Sequence, residues 1–145
     1  MEPLGRQIVF TGKAVREAFE QTLAEAGASL GTWVVLSALS DEGIVSQSAL
    51  GTQIHLDGAT ITHHIDRLES LGLVLRQADP GDRRVRRIEL TPAGTRLHGQ
   101  LLAAVKKLEA EATAGLSGKQ KTELRRALGQ ISTNLETRRA HAGSA

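Results

Sequence analysis

Asp79-Pro80-Gly81-Asp82 is followed by Arg83, Arg84, Arg86 and Arg87, four guanidinium groups in five positions. A guanidinium is a planar fork of donors that fits phosphate oxygens and base edges, which an ammonium does less well. Arginine carried on a hairpin tip can enter the minor groove, where the negative potential draws it in. A charged tip that is merely solvated has the same composition, and these residues alone leave both uses open. Side-chain alternation separates the four. Ile88 and Leu90 face the body, so Arg87 points outward and Arg86 lies on the inward side near the hairpin mouth. Asp82, two residues before Arg84, is placed to brace it. Arg83 and Arg84 are the leading DNA contacts, Asp82 orients them, and Arg86 and then Arg87 come second.

A second set of polar side chains lies upstream. Thr60, His63, His64 and Arg67 are expected on the outward face of a helix over 58–71, opposite an apolar stripe of Ile61, Ile65 and Leu68. The N-terminal half of such a helix is the part that a recognition helix inserts. A hydroxyl at Thr60 or Thr62 can bond a phosphate or a base edge, and Arg67 suits phosphate; Thr62 lies nearer the flank of the helix. Gln47, at the start of the preceding helix, joins this candidate surface. His63 and His64 are poor metal ligands, because adjacent helical residues diverge by about 100°. No His/carboxylate cluster has metal-ligand spacing, and there is no Cys. No nucleophile elbow or phosphate-cradling glycine loop occurs. The chain is expected to be no enzyme and to carry no cofactor.

The elements that must position these residues follow from hydrophobic period and punctuation. Leu4, Ile8, Val15, Phe19 and Ala26 recur at helical spacing over 4–26, with Gly27 as terminator. A second helix is expected over about 31–40. Ser46 caps a short helix, His55-Leu56 turns the chain, and Asp57 caps the helix that Gly72 ends. Two short helices joined by a tight turn make a helix-turn-helix. Strands over 73–78 and 85–90 flank Asp79–Arg84 as a hairpin wing. Thr91-Pro92 opens another helix. Ser117 and Gln120 form a capping box before a last helix with Leu124, Leu128, Ile131 and Leu135 in a regular seam.

The expected fold is mainly α with a small β-hairpin wing: one chain of 145 residues with a winged helix-turn-helix over 31–90. Residues 4–27 and 92–140 flank it with more aliphatic surface than one small domain needs, which is expected to close a homodimer. Aromatic residues are 2% of the chain, so the core is aliphatic apart from Trp33 and the two Phe. Trp33 belongs to this core or lines a cavity beside the first helices, with Phe19 a second candidate for a ligand contact. A formal net charge of +2 says little about partners, whereas 76–87 hold five Arg against two Asp. No signal pattern or apolar span is present, and a cytoplasmic protein is expected.

The segment DRLESLGLVLRQADPGDRRVRRIELTPAG, 66–94, closely resembles the MarR (multiple antibiotic resistance regulator) family, in which the Asp-Pro-x-Asp-Arg-Arg hairpin followed by Leu-Thr is the most specific motif. LGTWVVLSAL, QSALGTQIHLDGATIT and the terminal heptad helix also match. The resemblance implies a homodimeric transcriptional regulator on a pseudo-palindromic double-stranded operator. Its recognition helix enters the major groove and its wing the minor groove. It is expected to act as a repressor, released by a small phenolic or other lipophilic ligand in a cleft between the dimer arm and the winged part. Arg84 matches the family's minor-groove arginine and Asp82 its partner. Three positions depart from the pattern: His63 replaces a frequent Arg, His55 a turn Gly, and Thr32 a Gln before the Trp. The lack of Cys excludes the thiol-switched branch. The competing reading is a winged-helix protein-interaction module without specific DNA readout.

Overall fold

The computed structural model describes residues 3–143. They form α1 (Leu4–Glu25), α2 (Leu30–Glu42), β1 (Val45–Ser46), α3 (Gln47–Gln53), α4 (Gly58–Ser70), β2 (Val74–Ala78), β3 (Arg86–Leu90), α5 (Pro92–Ala112) and α6 (Gly118–Ala142). Within them two compact units divide after Leu108.

The first unit holds an aliphatic core. Val35, Leu36 and Leu39 of α2 meet Leu50 of α3, Ile61, Ile65 and Leu68 of α4, Val74 and Ile88 of the sheet, and Leu101 of α5. Ile61, Ile65, Leu68 and Ile88 are buried where the sequence pattern turns them inward, whereas Leu23, the buried residue of α1, lies off the stripe read for that helix. Only Leu23 of α1 joins this core fully, with Phe19 packed partly against it. The exposed large apolar residues of α1 include Leu4 and Val15 of its stripe, and Val9 and Phe10 beside it.

Chain reversals occur where the expected punctuation stands. Gly27 adopts φ +82°, the Ala28 N–H donates to the Leu23 carbonyl at 2.9 Å, and the Gly27 N–H to that of Ala24 at 3.0 Å. Gly72 (φ +70°) ends α4 in the same way. Positive φ carries no Cβ penalty at glycine, so both helix ends satisfy their carbonyls without strain.

One element escapes the sequence pattern. The expected two-stranded hairpin is a three-stranded antiparallel sheet of order β1-β3-β2. Val45 pairs with Ile88 and Ser46 with Arg87 on one side of β3; Val74 to Ala78 pair with Leu90 to Arg86 on the other. A two-residue strand has no alternation to detect. It ties the start of the helix-turn-helix to the wing.

In the second unit, Ser117 and Gln120 form the expected capping box, and α6 buries none of its residues. Leu124, Leu128 and Leu135 are exposed along it, while Ile131 is half-buried.

Candidate nucleic-acid interface

Helix α4 begins at Asp57, whose Oδ1 accepts from the Thr60 N–H at 2.7 Å and whose Oδ2 accepts from the Thr60 hydroxyl at 3.0 Å. These two bonds, the backbone one first, hold the Asp57 carboxyl below its ordinary value. The hydroxyl proton of Thr60 is thus committed to the cap, leaving only oxygen lone pairs for an outside donor. Thr62 is also engaged: its hydroxyl donates to the Gly58 carbonyl at 2.7 Å and accepts from Gln47 Nε2 at 2.9 Å. Gln47 therefore links α3 to α4 through Thr62.

The turn between these helices puts His55 at φ +57°, the left-handed region in which the departure from glycine placed it. Gly51 lets α3 close on the turn. A Cβ there would lie 3.2 Å from the Leu56 carbonyl oxygen and 3.3 Å from Ile61 Cγ2.

His63 and Arg67 are exposed on α4, where the sequence puts them. His64 is not on that face. Its ring lies against Gly31 at the start of α2, so tightly that any side chain at 31 would collide with it. Position 64 flanks the row running through Ile61 and Leu68, and its polarity misleads about its direction. The rings of His63 and His64 are 6.0 Å apart and tilted. Among the described residues no group of three His, Cys, Asp or Glu could hold a metal.

The wing sorts its arginines. Arg76 reaches back to α4, pairing with Asp66 at 2.6 Å and Glu69 at 3.8 Å. Arg87 pairs with Asp79 at 2.8 Å on the outer side of the sheet. Arg83, Arg84 and Arg86 form no ion pair among the described residues and are exposed. The Val85 N–H donates to the Asp82 carbonyl at 3.0 Å, which makes Arg83 and Arg84 the central residues of a β-turn at the tip. The expected brace from Asp82 to the Arg84 guanidinium is replaced by a different bond: Asp82 Oδ1 accepts from the backbone N–H of Arg84 at 3.0 Å. A short carboxylate two residues upstream reaches the main chain before it reaches the end of a long side chain.

Arg84 and Arg86 face α3 and α4 across a cleft of about 500 Å³, lined also by Ser46, Gln47, Ser48 and Thr62. One wall is cationic, the other rich in hydroxyl and amide groups. Such a surface suits a phosphodiester strand. Away from it, Trp33 of α2 stacks on His98 of α5 with ring centroids 5.4 Å apart, and His98 Nε2 lies 3.4 Å from the Ser37 hydroxyl. Two residues that sequence reasoning passed over thus matter here: His98, which nothing in its helical context marks, and Asp79, whose Asp-x-Gly spacing is a turn signal.

A short helix pair, a second helix with an exposed polar side, and a three-stranded wing tipped with free arginine define a winged helix-turn-helix protein. Residues 29–85 match the MarR family. A protein from Pseudomonas aeruginosa classed as a transcriptional regulator is 31% identical, with 89% of this chain and 99% of that one covered and a TM-score of 0.76. BpsR of Bordetella bronchiseptica, whose DNA binding is regulated by 6-hydroxynicotinic acid, is 26% identical over 90% of this chain and 99% of its own, with a TM-score of 0.79. A mutant of MarR from E. coli in complex with operator DNA is 25% identical, covers 89% and 93% of the two chains, and gives a TM-score of 0.80. A proposed transcriptional regulatory protein for the hcr operon of Thauera aromatica is 29% identical over 98 residues, which are 68% of this chain and 59% of that protein's length. The chain belongs to the MarR family of transcriptional regulators. No single helix among the described residues is long and apolar enough to cross a membrane.

Proposed function

We propose that the chain is a cytoplasmic, homodimeric DNA-binding repressor. Residues 31–90 form its DNA-binding part; 4–27 and 92–140 form its dimer arm. In this reading α4 enters the major groove with His63 and Arg67, and the wing tip enters the minor groove with Arg83 and Arg84. Arg86, Gln47 and the cleft below the wing follow the intervening backbone. Thr60 and Thr62 contribute as acceptors and by fixing the start of α4. The observation that carries the reading is the sorting of wing charge: two arginines are consumed by internal pairs, and the free ones are at the tip and the cleft. The operator complex of the E. coli relative supports it. Exposed Leu4 and Val15 on α1 and Leu124, Leu128 and Leu135 on α6 support the dimer, since apolar stripes of this length seek cover.

A small aromatic effector is part of the proposal. It is supported by the regulation of BpsR by 6-hydroxynicotinic acid and by the half-buried Trp33–His98 stack, a flat aromatic shelf with Phe19 on the same core.

Selection from a pool of random duplexes tests the DNA reading. It should return a pseudo-palindrome with half-sites about one helical turn, ~34–36 Å, apart. Inserting about five base pairs puts the half-sites on opposite faces of the duplex, and binding should then collapse. Recovery of no preferred sequence would favour a protein-interaction module instead.

A further inference from the structure

We infer that Asp79 is the positioning residue of the wing, holding the tip turn in the shape that presents Arg83 and Arg84. The inference rests on the reading of the wing as a DNA contact.

Asp79 stands just after β2 and joins three parts of the hairpin. Its N–H donates to the Val85 carbonyl at 2.9 Å, closing the ladder below the tip. Its Oδ1 accepts from the Gly81 N–H at 2.7 Å and from the Asp82 N–H at 3.3 Å. Its Oδ2 accepts from Arg87 Nε at 2.8 Å. The side chain is about three-quarters covered, at 23% exposure, although it lies in a charged loop. Gly81 belongs to the same arrangement: a Cβ there would sit 3.2 Å from Asp79 Oδ1. Asp82 is thereby fixed, and Asp82 in turn holds the Arg84 N–H and closes the β-turn. The chain of bonds runs from β2 through Asp79 and Asp82 to the backbone of Arg84 and to the turn that carries Arg83.

Charge alone predicts the opposite of positioning. Asp79 is an anion on a surface read as facing phosphate. Removing it adds one positive charge per wing and frees Arg87, so a purely electrostatic role requires tighter DNA binding without it. A positioning role requires weaker binding, because a loosened tip must be re-ordered on docking. The sign of the effect decides.

The test compares Asp79→Ala with Asp79→Asn in the full chain, on the selected operator at moderate salt. Asp79→Ala loses every side-chain bond and should weaken binding about tenfold, the scale of re-fixing roughly one backbone residue. Asp79→Asn keeps an acceptor for the Gly81 and Asp82 N–H groups and releases Arg87; its affinity should stay within about twofold of the parent or rise. Amide exchange at Gly81 and Asp82 should accelerate in Asp79→Ala only. Unchanged or tighter binding by Asp79→Ala overturns the inference, and so does an equal loss in both variants. The double variant Arg83→Ala with Arg84→Ala separates this from the wing reading. If it loses affinity while Asp79→Ala does not, positioning by Asp79 alone falls. If it stays within about twofold, the wing reading falls and this inference with it.

Discussion

Arg84→Ala and Arg87→Ala remove the same chemical group from neighbouring stretches of one hairpin, and the structure predicts different outcomes. Arg84 has no carboxylate partner at the tip, whereas the charge of Arg87 is offset by Asp79 at 2.8 Å. A free guanidinium that neutralises a phosphate adds about 0.9 to the slope of log affinity against log salt. In the two-fold assembly proposed above, Arg84→Ala removes two such contacts, a slope change of about 1.8. Across a fourfold change in salt, from about 50 to 200 mM, the parent should therefore lose roughly 12-fold more affinity than the variant. Arg87→Ala strips a charge that is already compensated, and its slope change should be less than about a third of this. Fluorescence anisotropy with the selected operator, repeated across a salt series, measures both. Equal slopes for the two variants would refute the sorting of wing arginines into paired and free. An Arg84→Ala slope equal to the parent's would refute the contact itself.

Two further outcomes follow. Leu128→Asp places a carboxylate in the exposed seam of α6; light scattering at micromolar concentration should show loss of the proposed dimer, with operator affinity falling in parallel, because an unpaired charge buried across such an interface costs several kcal/mol. Asp57 has a depressed folded-state pKa through its bonds to Thr60, so its charged cap stabilises fully above its ordinary value of 3.8 and the contribution is lost as pH falls through the depressed value. Urea midpoints of the parent and Asp57→Asn should differ by a constant amount near about pH 7 and converge as the pH falls below 3.8, since the amide has no charge to lose.

Much of this architecture is legible in the sequence because local chemistry and tertiary packing agree. Ser46, Asp57 and Ser117 cap the helices they precede, Gly27 and Gly72 stop the helices they follow, and Ile61, Ile65 and Leu68 face the core. What was not legible depends on distance along the chain or on the reach of a side chain. Val45–Ser46 becomes a strand only because β3, some forty residues later, offers an edge. His64 turns inward because Gly31 leaves room for its ring, a complementarity between two helices that no window of sequence contains. Asp82 meets Arg84 at the backbone N–H and not at the guanidinium, and Arg87 pairs with Asp79 across the hairpin. Arg76 appears in sequence as one more cation of the basic run, yet it is spent on Asp66 and Glu69.

At the opposite end of the hairpin, β2, β3 and α5 meet main chain to main chain. Thr91 donates through its N–H to the Leu73 carbonyl at 3.1 Å and through its hydroxyl to the Gly72 carbonyl at 2.6 Å, while the Gly94 N–H returns a bond to the Thr91 hydroxyl. Gly94 rests directly on the Leu73 carbonyl, a place that admits no side chain. The wing is therefore a cantilever clamped at its root. Bending is suppressed where the strands begin by main-chain bonds, whereas the shape of the far turn rests on the carboxylates of Asp79 and Asp82. The same few bonds join the first turn of α5 to the end of α4 and the root of the wing, so the three elements share one anchoring point.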